Sequence, residues 1–205
     1  MVVGEKGPDA DRGTIVRRAL QAFWNRGAEA TSYNDIVAAT GLSRKALYAL
    51  WPEKDALVHE AMELYRAEVL GPLVNGLAVG GRAGLEAFWD ALTTGVKTPG
   101  WAGCFLFRSA GGALRGDPVI ARHFDEHVAL LRTGITRAMR EAQRESATDT
   151  KIDTAEAGWQ VVAVAALIST YGAMSGNSRT VTALISAGRS ACGLGRPNTR
   201  APRAD

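Results

Sequence analysis

Apolar residues recur along this chain at intervals of three and four, the spacing that lines one face of an α-helix, and no convincing alternating strand pattern interrupts them. Ile15, Ala19, Ala22 and Phe23 open the series, and Gly27 stands where a helix C-cap belongs. Ser32 and Asp35 have capping-box spacing and predict a short helix through Ile36, Val37 and Ala39, broken at Gly41. Ser43 can cap a second short helix bearing Ala46, Leu47 and Leu50, which Pro52 stops.

A longer helix is predicted from about Lys54 to Leu70, with Gly71-Pro72 and Gly80-Gly81 loosening the chain before a helix with Leu85, Phe88, Trp89 and Leu92. Pro99-Gly100 ends that segment, and the apolar run Cys104 to Phe107 starts the next, towards Leu114. Asp117-Pro118 reads as an N-cap followed by proline at the first helical position, opening a long helix with Ile120, Phe124, Leu131, Ile135 and Met139. Asp153 and Glu156 predict a further capped helix, and Asn177-Ser178 separates it from a last one holding Val181, Leu184, Ile185 and Gly188. The pattern predicts an all-α protein of about nine helices.

The helix after Asp153 carries no charged residue from Ala157 to Ser178, close to the length of a membrane span. It is rich in alanine and interrupted by Gln160, Ser169, Thr170, Gly172, Gly176 and Asn177, so a helix buried on most sides, in a bundle or between subunits, is expected. Composition adds little. The 205 residues are 46% hydrophobic and 22% charged with net charge +3, and charge alone does not mark a polyanion partner. Only Cys104 and Cys192 are present, without metal-ligand spacing, which fits a reducing cytoplasm, and Met1 to Gly13 show no export signal.

The segment TSYNDIVAATGLSRKALYALWPEKDAL, Thr31 to Leu57, sets two short helices around a tight turn at Gly41-Leu42, as a helix-turn-helix requires. With Phe23 and Gly27 before it, and with Thr31-Ser32, Ile36, Ala39, Gly41, Leu42, Ser43, Leu47-Tyr48, Trp51, Pro52, Lys54 and Leu57 in register, it resembles the DNA-binding domain of the TetR (tetracycline repressor) family. The resemblance implies that Ser43, Arg44, Lys45, Ala46 and Tyr48 face DNA, with Thr31 and Lys54 holding phosphates. The chemistry agrees: Arg44 and Lys45 can donate to guanine or phosphate, Ala46 admits a thymine methyl, and Tyr48 can reach the backbone. Lys45, Leu50, Trp51 and Glu53 depart from the usual family residues, so no operator sequence is carried over.

The resemblance also implies a division into a helix-turn-helix domain at 1–54, a ligand-binding and dimerisation domain at 55–193, and a tail at 194–205 rich in Arg, Pro and Gly and expected to be disordered. Its last two long helices would pack with a partner subunit, and Ala163, Ala165, Ala166, Gly172 and Gly188 would allow close approach. A homodimer suits a palindromic operator. Trp89, Trp101, Cys104, Phe107, Arg108, His123, Phe124, His127, Trp159 and Tyr171 are candidates to line an effector pocket, although aromatics at helical spacing also build plain core. The expected function is a cytoplasmic transcriptional repressor released from double-stranded operator DNA by a small-molecule effector, or a DNA binder without effector if the C-terminal core is solid.

Other chemistry is weaker. His123 and His127 lie one turn apart, but no third ligand is in view, so no metal and no cofactor is expected. Cys104 can act as a redox group or, with either histidine, as a thiol nucleophile. Nothing supplies an orienting acid or oxyanion site, so no enzyme is expected.

Overall fold

A computed structural model describes residues 12–112, 114–175 and 179–195; the stretch from 196 onward and the break at Asn177-Ser178 lie outside the described residues. Every regular element among the described residues is helical: α1 (Arg12–Arg26), α2 (Tyr33–Thr40), α3 (Arg44–Leu50), α4 (Lys54–Tyr65), α5 (Gly71–Asn75), α6 (Gly81–Lys97), α7 (Phe105–Gly111), α8 (Pro118–Arg144), α9 (Thr154–Ser175) and α10 (Arg179–Ala191). Packing divides the chain into two compact units, one of Met1–Gly71 with Cys104–Phe124, the other of Pro72–Gly103 with Asp125–Asp205.

The helix starts follow the caps written in the sequence. The Ser32 hydroxyl accepts from the Asp35 N–H while the Asp35 carboxylate accepts from the Ser32 N–H, a complete capping box. One Asp117 oxygen accepts from the N–H groups of Val119 and Ile120, and one Asp153 oxygen from those of Ala155 and Glu156.

The chain departs from expectation at Gly71-Pro72, where helix continues instead of loosening. A π-helical turn over Arg66–Leu70 lets the Gly71 N–H reach back to the Arg66 carbonyl. The wider turn accommodates Pro72, which has no N–H to give and would collide with the carbonyl four residues earlier in a regular helix. The short α5 is this continuation, and with a single 3-10 turn over Gly76–Val79 it adds to the nine helices expected.

The first unit is built around Phe23, Ile36, Leu47, Trp51, Leu57, Met62, Tyr65, Phe105 and Leu106, all buried. The second is built around Leu77, Leu85, Phe88, Trp89, Ile135, Met139, Val161, Ile168 and Val181. In it, Gly188 serves packing within the chain: a Cβ there would lie 2.0 Å from the Trp89 ring. Leu194 is buried as well, and its N–H bonds to the Arg189 carbonyl. Helix α9 buries Val161, Ala165 and Ile168 but leaves Trp159, Leu167, Tyr171 and Met174 exposed, so the uncharged helix is covered on one side only. Among the described residues, no helix is long and apolar enough to cross a membrane.

Candidate nucleic-acid interface

Helix α3 has seven residues, too few to persist alone in water, so its position must come from its ends and its buried side. At its start the Ser43 hydroxyl accepts from the Ala46 N–H at 3.2 Å. Leu47 is 1% exposed and is the anchor in the middle. At its end Trp51 is buried, donates its indole N–H to Glu60 at 2.9 Å, and lies beneath the Arg12 guanidinium. Arg12 itself pairs with Glu60, so the Glu60 carboxyl is held below its usual range, by the Arg12 hydrogen bond first and by Trp51 as well, with burial opposing.

The turn between α2 and α3 is equally determined. Gly41 sits at φ 76°, a left-handed conformation that glycine adopts without strain. The buried Thr40 hydroxyl donates to the Ile36 carbonyl at 2.7 Å and accepts from the Leu42 N–H at 3.3 Å. From α1, Arg18 donates to the Thr40 carbonyl at 3.2 Å. Arg18, Thr40 and Glu60 were not singled out from sequence, because each acts through a fold contact that spacing does not announce.

What remains on the outside of α3 is Arg44, Lys45, Tyr48, Ala49 and Leu50, with Ser43 exposed at the cap and Ala46 half-buried. Arg44 donates to the Asn34 side chain at 2.8 Å, which aligns its guanidinium along the first turn. Tyr48 packs on Tyr33 with ring centroids 4.8 Å apart. Burial, with Tyr48 next in size, pushes the Tyr33 hydroxyl above its usual value. Asn34 and Tyr33 thus belong to this surface, although only the packed geometry reveals it. The result is an exposed helix edge with two cations, hydroxyl donors and a small residue between them, the functional groups that read base edges and phosphates.

Two other sequence candidates lie elsewhere. Thr31 is fully buried, and its hydroxyl donates to the Gly27 carbonyl at 2.7 Å. The Lys54 ammonium is turned onto the carbonyls of Ala28, Glu29 and Thr31 at 3.0, 3.5 and 3.3 Å. Both fix the loop before α2 in this structure.

The ten effector-pocket candidates are divided between the two units. Cys104, Phe107, Arg108, His123 and Phe124 belong to the first unit, and Trp89, Trp101, His127, Trp159 and Tyr171 to the second. Arg108 donates to the Trp24 carbonyl at 2.8 Å and is the one candidate on a cleft of about 200 Å³ beside the loop after α1. Phe107 and Phe124 meet edge to face at 5.3 Å. His123 Nδ1 lies 2.5 Å from Arg66 Nη1, and Nε2 lies 2.9 Å from a Glu63 oxygen. Since a guanidinium can only donate, Nδ1 is the acceptor in the Arg66 contact.

Burial pushes the Cys104 thiol up, against the N–H groups of Phe107 and Leu106 and the Tyr65 side chain, which disfavours the reactive thiolate. In the second unit Trp89 is buried and Trp101 packs at the edge of the core. His127 is 4% exposed, whereas Trp159 is 55% exposed with the Arg132 guanidinium over its ring. Among the described residues no group of three side chains is placed to hold a metal ion.

Comparison with known proteins agrees with this geometry. Residues 15–61 match the family described as bacterial regulatory proteins, tetR family. The HTH-type transcriptional regulator YezE of Bacillus subtilis is 27% identical over 124 residues, 58% of this chain and 63% of YezE. The HTH-type transcriptional repressor ComR of Escherichia coli is 38% identical over 55 residues, 27% of this chain and 26% of ComR. The chain thus matches less than two thirds of the length of either relative. Among solved structures, a cysteine mutant of the TetR family regulator CifR, complexed with 26bp double-strand operator DNA, has a TM-score of 0.72 at 20% identity. That match covers 90% of this chain and 97% of CifR, a likeness of fold.

Proposed function

From the match of residues 15–61 to the tetR family of bacterial regulatory proteins, we propose that the chain binds operator DNA through the outer edge of α3 and regulates transcription. The observation that carries this reading is the exposure of Ser43, Arg44, Lys45 and Tyr48 on a short helix whose other side is locked by Leu47 and Trp51. A rigid rod with a polar, cationic leading edge fits the major groove, where arginine and lysine find guanine acceptors and phosphates. CifR, a protein of the same fold, is complexed with double-strand operator DNA, which supports DNA binding by this fold.

The finer reading is a cytoplasmic homodimeric repressor on a palindromic operator, released by a small-molecule effector taken up in the helical region beyond residue 55. The exposed apolar stripe of Trp159, Leu167 and Met174 along α9 supports pairing with a second copy. Release would be a population shift: an effector that prefers one subunit arrangement draws the two α3 edges out of register with the half-sites.

The test is selection of bound duplexes from a random pool, followed by gel shifts with Arg44→Ala and Lys45→Ala. We expect an enriched inverted repeat and a loss of affinity of about 1–3 kcal/mol for a side chain that makes a bidentate base contact. No enriched sequence, or full affinity in both variants, would overturn the proposal.

A further inference from the structure

The arginines of this chain differ in what they sit against. Arg12, Arg17, Arg26, Arg66, Arg82 and Arg189 each sit against a carboxylate, of Glu60, Glu68, Asp35, Glu63, Glu86 and Asp90 respectively. Arg132, Arg137, Arg140 and Arg144, all on α8, do not. They line one groove of about 370 Å³ in the second unit, with Thr133 and Thr136 between them and Ala155 at its edge.

Carboxylates are at hand but committed. Glu141, within the groove, accepts the Gly81 N–H at 2.9 Å. Asp153, close enough for Arg140 to help hold its carboxyl low, is used on the N–H groups of Glu156 and Ala155. Arg137 donates to the Leu77 carbonyl at 2.9 Å, and Arg132 lies over the Trp159 ring. Arg140 and Arg144 are exposed and make no hydrogen bond or ion pair with a carboxylate among the described residues. Like charges one turn apart on a helix repel, so this arrangement carries a cost that a bound anion would remove.

We propose that the α8 groove binds a small polyanion, a molecule bearing several phosphate or carboxylate groups, through the guanidinium groups of Arg132, Arg137, Arg140 and Arg144. Guanidinium forks match both oxyanions in bidentate fashion, and the planar donors fixed on Leu77 and Trp159 are already oriented. The groove's volume lies at the lower end of the range of small-molecule sites. The Thr133 side chain is exposed at the same face and adds a neutral donor, while Thr136 spends its hydroxyl on the Thr154 carbonyl. This site is independent of the α3 edge and does not rest on the DNA-binding reading.

The test is calorimetric titration of the full chain with tripolyphosphate and, separately, with citrate, at ionic strength held constant with sodium chloride. One saturable site per chain is expected, and the arm that binds more tightly assigns phosphate or carboxylate chemistry. Arg140→Gln with Arg144→Gln should weaken that affinity at least about tenfold, a change of about 1.4 kcal/mol. Arg44→Ala with Lys45→Ala, on α3, should leave it within about twofold, since neither residue lines the groove. If the double glutamine variant fails to fold by circular dichroism, Arg144→Glu alone makes the same comparison. Absence of saturable binding in both arms, binding indifferent to the α8 substitutions, or binding lost only in the α3 variant would each overturn the proposal. So would a change of oligomeric state in the α8 variant without anion binding, which would assign the groove to a second copy's acidic groups.

Discussion

Helix α3 offers a clean separation between what holds the candidate interface and what it presents, through Leu47→Ala set against Lys45→Ala. Leu47 is 1% exposed and is the buried side chain in the middle of a seven-residue helix. Its truncation removes buried methyl groups and leaves a void, a cost of about 2–5 kcal/mol. The Ser43 cap, worth about 1 kcal/mol, cannot make up the difference. Lys45 is exposed and makes no hydrogen bond or ion pair among the described residues, so its removal should cost no more than about 0.5 kcal/mol. Urea unfolding followed by tryptophan fluorescence includes this region, because Trp24 and Trp51 lie in the first unit, beside Trp89, Trp101 and Trp159 in the second. The midpoint should drop clearly for Leu47→Ala and stay put for Lys45→Ala, while gel-shift affinity should fall for both. Equal midpoints for wild type and Leu47→Ala, or matching destabilisation by Lys45→Ala, would refute the assignment of the two faces.

Three further outcomes follow from the same structure. Thr40→Val keeps the shape but strands the Leu42 N–H, and should cost about 1–3 kcal/mol in denaturant unfolding, with Thr40→Ser close to wild type. Gly188→Ala places a methyl 2.0 Å from the buried Trp89 ring and should lower the melting temperature through an overpacking cost of about 1–3 kcal/mol; adding Trp89→Phe should recover part of it. Burial works against the charged Asp117 carboxylate, but the Ile120 N–H, His59 at 2.8 Å and the Val119 N–H together hold its pKa below the usual carboxylate range. A lowered folded-state pKa stabilises above the unfolded value, about pH 3.9, and that stability is lost as pH falls through the folded value. Asp117→Asn, which keeps the cap, should therefore show a flatter loss of stability below about pH 4 than wild type in acid titration by circular dichroism.

The features that were legible in the sequence are those whose physics is local. Ser32 with Asp35, Ser43, Asp117 and Asp153 each cap a helix within three residues of themselves, so their spacing carries the information. The exposed edge of α3 was legible in part for the same reason, since Leu47 sits on the helical period and Arg44, Lys45 and Tyr48 fall off it, but Leu50, expected on the buried side with Ala46 and Leu47, is exposed. Contacts between distant residues were not legible. Arg18 bonds to the Thr40 carbonyl, Trp51 to Glu60 and Arg108 to the Trp24 carbonyl, and no pattern along the chain announces those partners. Thr31 and Lys54 match family positions by type, yet their donors go to backbone carbonyls of their own loop. The effector candidates illustrate the ambiguity of aromatic spacing: Trp89 and Trp159 both fall on helical periods, and one is fully buried while the other is 55% exposed. The π-helical turn before Pro72 leaves no sequence mark beyond the proline itself.

Hydroxyl-radical footprinting of the full chain on a selected duplex tests most directly whether the outer edge of α3 enters a DNA groove twice per assembled pair. Two protected patches on one face of the duplex, one helical turn or a multiple apart, are predicted, both erased by Arg44→Ala with Lys45→Ala. A single unrepeated patch, or protection that persists in that double variant, would contradict it.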